Sequence, residues 1–230
     1  VNSQYDLIQA VKNLPSGRTC FDVGDYYDRM RVAWEAPPQP PTWGTLITAV
    51  EPNRLTVSGY ALEEVVGRIS LVEAAALLVR LDLPGEADRE LLTRLAATAA
   101  AAPAPEVAGR EHEQLSTVLA RYLLVDDEFA TEREPALRAA VAIGRTVRYL
   151  ARILGHSSDL DEWDEGDGFA GAIARAMGAG PDATAGMRAL IEAMAVASVD
   201  HGVTPPSAQA TILAATVRAP YAMALASGVG

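Results

Sequence analysis

Residues 185–207 read AGMRALIEAMAVASVDHGVTPPS and connect two alanine-rich helical patterns through a short polar turn. In the first part, residues 185–199, apolar side chains recur at helical spacing, which predicts a helix. Gly202 stands where a helix commonly ends in a left-handed residue, so the helix is predicted to end there. His201 is therefore expected at a tight junction between two helices, a position from which an exposed imidazole can act in acid–base chemistry.

The turn also carries the start signals of the next helix. Pro205 and Pro206 suit a first helical turn, where no backbone amide is needed, and Thr204 is a suitable N-cap. His201 then has two interpretations. It is either a group that faces a substrate, or a helix-terminal residue whose protonated form is favoured by the helix dipole.

The residues around this histidine resemble the first histidine motif of citrate synthases and of bacterial citryl-CoA lyase-like proteins. The matching residues are Asp200-His201-Gly202, Pro206-Ser207 and residues 214–216, 219–222 and 228–230. Upstream, residues 43–48, 59–64 and 70–78 resemble the N-terminal hairpin and first helices of the same family. The resemblance implies an all-α fold, a citrate-synthase-type multi-helix fold with a small N-terminal β-hairpin.

The resemblance also implies an activity. In that family the histidine donates a hydrogen bond to the thioester carbonyl of an acyl-CoA while a carboxylate removes the α-proton. The enolate attacks a keto acid, and cleavage is the reverse reaction. The implied substrates are therefore a coenzyme A thioester and a keto acid, with no metal. The implied site consists of His201 as the catalytic donor and Gly202, Thr204 and Asp167 as substrate-binding residues.

Three positions depart from the synthases of this family. Thr204 stands where they usually have Asn, Thr211 where they have Arg, and Asp167 near a keto-acid-binding His or Asn. The second histidine, the aspartate base and the carboxylate-binding arginines of the family would lie beyond Gly230, so we expect a chain that is incomplete at its C-terminus. Two alternatives therefore stay open: a catalytically inactive binding or regulatory subunit, and an unrelated helical interaction module.

Composition argues against several other classes of function. A net charge of -11 and a pI near 4.7 argue against nucleic acid or an anionic membrane as partner, because both require clustered basic charge. Lys12 is the single lysine, which excludes a phosphate-binding loop ending in Lys-Ser/Thr. Cys20 is the single cysteine and the three histidines are scattered, so we expect no zinc site, no disulfide and a cytoplasmic location.

The chain is predicted to have two parts. Residues 1–41 form an N-terminal extension that ends in a proline-rich linker, and residues 42–230 form the citrate-synthase-like helical domain. At the start of that domain, β-branched residues in 45–50 and 55–57 flank a turn at 51–54. This pattern predicts a small hairpin rather than a sheet.

Everything after the hairpin is predicted to be helical. Ser70 and Glu73 form a capping box before an apolar run. Further helices are predicted over residues 86–102, 111–125 and 136–154. The acid-rich segment 155–168 lacks the alternate oxygen ligands, central glycine and distal glutamate of a calcium loop, so it is predicted to be a solvated loop without a metal.

Small residues also recur along the last helical patterns. They are Ala193, Ala197, Ala210, Ala214, Ala222 and Ala226. Small side chains let helices approach closely, and the resemblance implies that they do so across the two-fold axis of a homodimer. The alternative is that these alanines pack inside one subunit.

Overall fold

The computed structural model describes residues 45, 47–107, 113–126, 134–161, 163, 168–179, 183–200 and 205–229. All of them belong to one compact unit that begins at Thr45. The predicted N-terminal extension, residues 1–41, lies outside the described residues, and so do Lys12 and Cys20. The two-part organisation therefore stays a prediction.

The described residues form three strands and ten helices. The strands are β1 (Thr48–Glu51), β2 (Arg54–Val57) and β3 (Tyr60–Ala61). The helices are α1 (Leu62–Val65), α2 (Leu71–Arg80), α3 (Glu86–Ala101), α4 (Leu115–Val125), α5 (Pro135–Leu154), α6 (Ser157–Asp161), α7 (Gly168–Ala176), α8 (Ala185–Ala197), α9 (Pro206–Thr216) and α10 (Tyr221–Val229). Among the described residues, no helix has both the length and the apolar composition to cross a bilayer.

The strands form an antiparallel sheet in the order β1-β2-β3, with Thr48 opposite Val57. The hairpin of β1 and β2 is confirmed, and its turn is Pro52-Asn53. Asn53 has a φ of 59°, and proline is held near −65° by its ring, so the turn has the backbone pattern of type II.

The prediction of a hairpin rather than a sheet is wrong, because β3 adds a third strand. Ser58 and Gly59 have φ values of 50° and 87°, the pattern of a type I′ turn, which turns the chain back onto β2. Tyr60 then pairs with Val57. A two-residue strand is too short to show alternation in the sequence.

The long helix α5 contacts α2, α3, α4, α6 and α7 and lies at the centre of the unit. Its start is one residue earlier than predicted, at Pro135, because the side chain of Glu134 caps it by accepting from the Leu137 amide at 2.7 Å. It ends at Leu154, and its C-cap Gly155 has a φ of 83°, which suits the left-handed C-terminal position.

Helices α3 and α5 pack very closely. A Cβ added at Gly144 would lie 2.2 Å from the carbonyl oxygen of Ala96 and 2.8 Å from the Cβ of Ala99. The two backbones therefore approach more closely than any larger residue would allow, and buried alanines on both helices permit this.

Three buried clusters form the core. The first, between α2, α3, α5, α6 and α7, includes Val72, Leu92, Val147, Leu160 and Phe169. The second, between α4, α5 and α10, contains Leu119, Tyr122, Leu123, Ala142, Tyr149 and Ala226. The third, between α1, α2 and α8, contains Val65, Ile69, Ala74, Leu77 and Val196. Because α2 contributes to the first and the third, it connects α8 to the core.

Most helix predictions are confirmed within a few residues. The capping box is present: Ser70 accepts from the Glu73 amide at 3.2 Å, and the Glu73 carboxylate accepts from the Ser70 amide at 2.7 Å. The helix predicted from residue 111 is too long, since α4 begins at Leu115. Gln114 has an extended backbone, and Glu113 instead forms an ion pair with Arg121.

The prediction of a solvated loop over residues 155–168 is wrong in part. Within it, α6 is helical and Leu160 is buried. Asp161 forms an ion pair of 2.7 Å with Arg148, which is buried in α5. A buried guanidinium needs a counter-charge, so the carboxylate of Asp161 stabilises the buried Arg148.

The predicted face of small residues is also only partly on the surface. Ala226 is buried against α4 and α5, and Ala222 packs against the same cluster. These two alanines therefore pack inside the subunit, which is the alternative that the sequence left open.

Candidate functional site

All four predicted site residues, His201, Gly202, Thr204 and Asp167, lie outside the described residues. The structure does describe the chain on both sides of the histidine motif. On one side it shows α8 and the residues up to Asp200, and on the other α9 from its N-cap onward. The candidate site is therefore built from these flanks.

The helix that leads to the motif begins at a capped turn and ends early. Thr184 caps α8 by accepting from the Met187 amide at 3.2 Å. Ser198 is the C-cap, and the Val199 amide donates to the Val196 carbonyl at 3.2 Å, a tightened turn that satisfies terminal carbonyls without a glycine. The prediction that the helix continues to 199 and ends at Gly202 is therefore wrong.

The helix after the motif begins at Pro206. Pro205 is its N-cap, with an extended backbone at φ −61° and ψ 140°, and its carbonyl accepts from the Gln209 amide at 3.1 Å. The prediction of Thr204 as the N-cap is wrong. Pro205 precedes Pro206, and a residue before a proline is kept out of the helical region. Pro205 therefore cannot be the first helical residue and is the N-cap instead.

The end of α8 is fixed to α1 and α2 by apolar contacts. Val196 is fully buried in the third cluster, where it packs with residues that include Val65 and Leu77, and Val199 packs against the same cluster. The last turn before the motif is therefore part of the core.

A polar contact fixes the same helix one turn earlier. The carboxylate of Glu192 accepts a hydrogen bond from the Leu71 amide at the N-terminus of α2, at 3.2 Å. Burial raises the pKa of Glu192, the hydrogen bond from Leu71 lowers it, and the nearby charge of Glu73 raises it, with a net upward shift. A helix N-terminus favours a negative charge, but here two carboxylates share it.

The closest described contact to the motif is at Asp200, the residue before the histidine. Its Oδ2 accepts a hydrogen bond from the Oγ1 of Thr48, the first residue of β1. Both residues are half-buried, and they lie 152 positions apart in the chain. Sequence reasoning missed this contact, because no local pattern relates a strand threonine to a distant aspartate.

Arg145 and Arg148, two of the three buried arginines among the described residues, were also missed, and both have structural partners. Arg145 donates to Asp126 at 2.7 Å, to the hydroxyl of Tyr149 at 3.2 Å, and to carbonyls at the end of α3, such as that of Ala102 at 2.9 Å. Arg148 donates to the carbonyl of Ala101 in addition to its pair with Asp161. These guanidinium groups bind the C-terminal carbonyls of α3 and are not positioned for a substrate carboxylate.

The described residues offer no cluster of three or more His, Cys, Asp or Glu that suits a metal ion. His156, the histidine among them, lies 3.2 Å from Asp159 through Nδ1, and its ring packs against Gly178. These contacts stabilise the junction of α5, α6 and α7.

A many-helix unit with a small antiparallel sheet at its start is the architecture expected for a citrate-synthase-type domain. The family model described as "Citrate synthase, C-terminal domain" matches residues 41–230. The chain therefore belongs to the citrate synthase family, whose general activity is condensation or cleavage with acyl-CoA substrates. No curated protein matches the chain.

Proposed function

We propose that the protein is an enzyme of the citrate synthase or citryl-CoA lyase type. It forms or cleaves a carbon–carbon bond next to the thioester of an acyl-CoA, with a keto acid as the second substrate. The observation that carries this proposal is the family match over residues 41–230, which includes the motif Asp200-His201-Gly202.

The chemical role proposed for His201 is that of a hydrogen-bond donor. A carbon next to a thioester loses its proton only if the negative charge that develops on the carbonyl oxygen is stabilised. A neutral imidazole that donates to this oxygen supplies the stabilisation, while a carboxylate base takes the proton. Gly202 and Thr204 are proposed to contact the substrate beside it.

The anchored approach to the motif supports this role. A donor of this type must be held in place before the reaction, because reorganisation during the reaction would lower its benefit. The structure holds the preceding residues through Glu192, Val196 and Asp200. Because α8 ends at Ala197, the alternative in which His201 serves its last turn loses support.

Asp167 is proposed to lie beside the keto acid. Two unit charges about 4 Å apart repel by roughly 4 kcal/mol at an intermediate effective dielectric. Oxaloacetate, a dicarboxylate, is therefore expected to bind weakly, and a neutral or monoanionic carbonyl compound is expected to bind better. Calorimetric titration with oxaloacetate tests this expectation, and tight binding that is unchanged in Asp167→Asn would contradict it.

The function is tested by exchange of the thioester α-proton for deuterium, followed by mass spectrometry of acetyl-CoA and longer acyl-CoA substrates. The wild-type protein is expected to catalyse exchange, and His201→Ala to lower it by about 100- to 1,000-fold while keeping its helical spectrum. His156→Ala is the matched control and keeps the exchange, because His156 contacts Asp159 and Gly178 instead. If the wild-type protein exchanged the α-proton no faster than His201→Ala does, the proposal would be overturned.

One observation favours the inactive binding subunit as a second candidate. Thr211, which stands where synthases have Arg, donates its hydroxyl to the Ser207 carbonyl at 3.0 Å. It also packs so closely against Gly228 that a Cβ there would lie 2.2 Å from its Oγ1. Position 211 thus stabilises the pair α9 and α10 and has no cation for a substrate. Calorimetric binding of an acyl-CoA without any exchange would favour this candidate.

We also propose a homodimer and a cytoplasmic location. Support for the dimer comes from exposed apolar side chains on α8, on α9 and at the C-cap of α9, with exposed fractions from 48% to 71%. They are Met187, Leu190, Met194, Leu213 and Val217. Helix α9 has no buried residue although its composition is largely apolar. A partner subunit would remove this surface from water.

A further inference from the structure

The end of α8 is attached to the rest of the protein at three points in steps of four residues. Glu192 binds the amide of Leu71, Val196 is buried in the third cluster, and Asp200 binds the hydroxyl of Thr48. Glu192 and Val196, four residues apart, lie on one side of α8, and Asp200 is held separately beyond the helix end. Asp200 is the last of them and the residue directly before His201.

The partner of Asp200 is itself firmly held. Thr48 pairs across the sheet with Val57, which is almost completely buried, and the sheet backbone therefore fixes the direction of its side chain. A hydroxyl that donates to a carboxylate forms a charge-assisted hydrogen bond, which is stronger than one between neutral groups. Strand β1 thus reaches Asp200, the residue directly before His201.

We propose that Thr48 is a positioning residue for His201, acting through its hydrogen bond to Asp200. This inference rests on the proposed function of His201. Asp200 and His201 are joined by one planar peptide bond with their Cα atoms about 3.8 Å apart, so the position of Asp200 restricts where His201 can lie. A displacement of about 1 Å in a catalytic group can cost about 100-fold in rate.

The test compares two substitutions at the same position in the whole protein. Thr48→Val keeps the branched shape that suits a strand but removes the hydroxyl, whereas Thr48→Ser keeps the hydroxyl. Thr56→Val is the matched control, because Thr56 lies on the neighbouring strand β2 opposite Ala49. Comparison with the control separates the loss of the hydrogen bond from the effect of valine in the sheet.

The first readout does not depend on activity. The imidazole resonances of His201, assigned with the His201→Ala variant, are followed by NMR across a pH titration. Thr48→Val is expected to shift them, Thr48→Ser to restore them, and Thr56→Val to leave them at their wild-type positions. Unchanged resonances in Thr48→Val, or an equal shift in Thr56→Val, would overturn the inference.

The second readout is α-proton exchange. Thr48→Val is expected to lower kcat by about 10- to 100-fold with KM for the thioester nearly unchanged, because the donor acts in the transition state. In the Asp200→Ala background, Thr48→Val should then cost little, because the hydrogen bond that it removes is already absent there. Additive losses would overturn the inference. If the wild type shows no exchange, the proposed function fails, and the NMR readout still decides whether Thr48 positions His201.

Discussion

Glu192 and Glu134 are carboxylates that accept a backbone amide at a helix N-terminus, yet their pKa values are shifted in opposite directions. Burial alone would raise the pKa of both. At Glu134, hydrogen bonds from the Leu137 amide and from Arg80 outweigh burial and lower the pKa. At Glu192 burial dominates, and the nearby Glu73 adds like charge, so the pKa is raised. The balance between burial and hydrogen bonding therefore decides the direction of the pKa shift.

These directions set opposite contributions to stability. Glu134, with a lowered pKa, stabilises the fold above its unfolded pKa, and this contribution is lost as the pH falls through the folded pKa. Glu192, with a raised pKa, holds its proton more tightly in the folded state. The free energy of unfolding therefore decreases as the pH rises from the unfolded to the folded pKa of Glu192, and the loss persists at neutral pH.

Glu192→Gln should consequently raise the free energy of unfolding at pH 7. The amide oxygen of Gln can still accept from Leu71 but carries no charge beside Glu73. The gain over wild type should disappear below the unfolded pKa, where Glu192 is protonated in both states. Urea unfolding at several pH values measures this, with the exposed Glu90→Gln as control. A destabilised variant at pH 7 would show that the charge itself is needed.

At the scale of elements, the contact between α3 and α5 depends on a glycine, which has no side chain. Gly144 faces the backbone of Ala96, which cannot move away as a flexible side chain can. Gly186 in α8 is the useful comparison, since a Cβ there would meet only the hydroxyl of Thr184 at 3.9 Å.

We expect Gly144→Ala to destabilise the protein by about 1 to 3 kcal/mol, because the helices must separate or distort. Gly186→Ala should instead stabilise it by up to about 1 kcal/mol, because alanine favours a helix more than glycine does. Thermal and chemical unfolding of both variants measure the difference. Equal effects of the two substitutions would contradict the close approach of α3 and α5.

At the scale of the whole molecule, the apolar surface of α8 and α9 predicts self-association. Leu190→Glu and Met194→Glu place a charge on this surface and should convert a dimer to monomers without unfolding them. Val50→Glu is the matched control, because Val50 is 79% exposed on β1, outside α8 and α9. Sedimentation velocity measures the outcome. A monomeric wild type, or a dimer that survives both substitutions, would show that this surface is not the interface.

The local signals in the sequence predicted most of the secondary structure. Helical periodicity located α3, α5 and α8, and the capping box at Ser70 was confirmed because its two hydrogen bonds involve residues only three positions apart. The resemblance around Asp200-His201-Gly202 likewise led to the family that the match over residues 41–230 shows. Each of these features depends on neighbours in the chain or on a motif of fixed order.

Only the tertiary structure decided how the described residues before His201 are held and where charged side chains are buried. The contacts of Asp200 with Thr48 and of Glu192 with Leu71 join residues 152 and 121 positions apart. Arg145 is buried because the end of α3 and Asp126 supply its acceptors. Such contacts arise when distant segments pack and must satisfy each polar group removed from water, a requirement that no local pattern in the sequence contains.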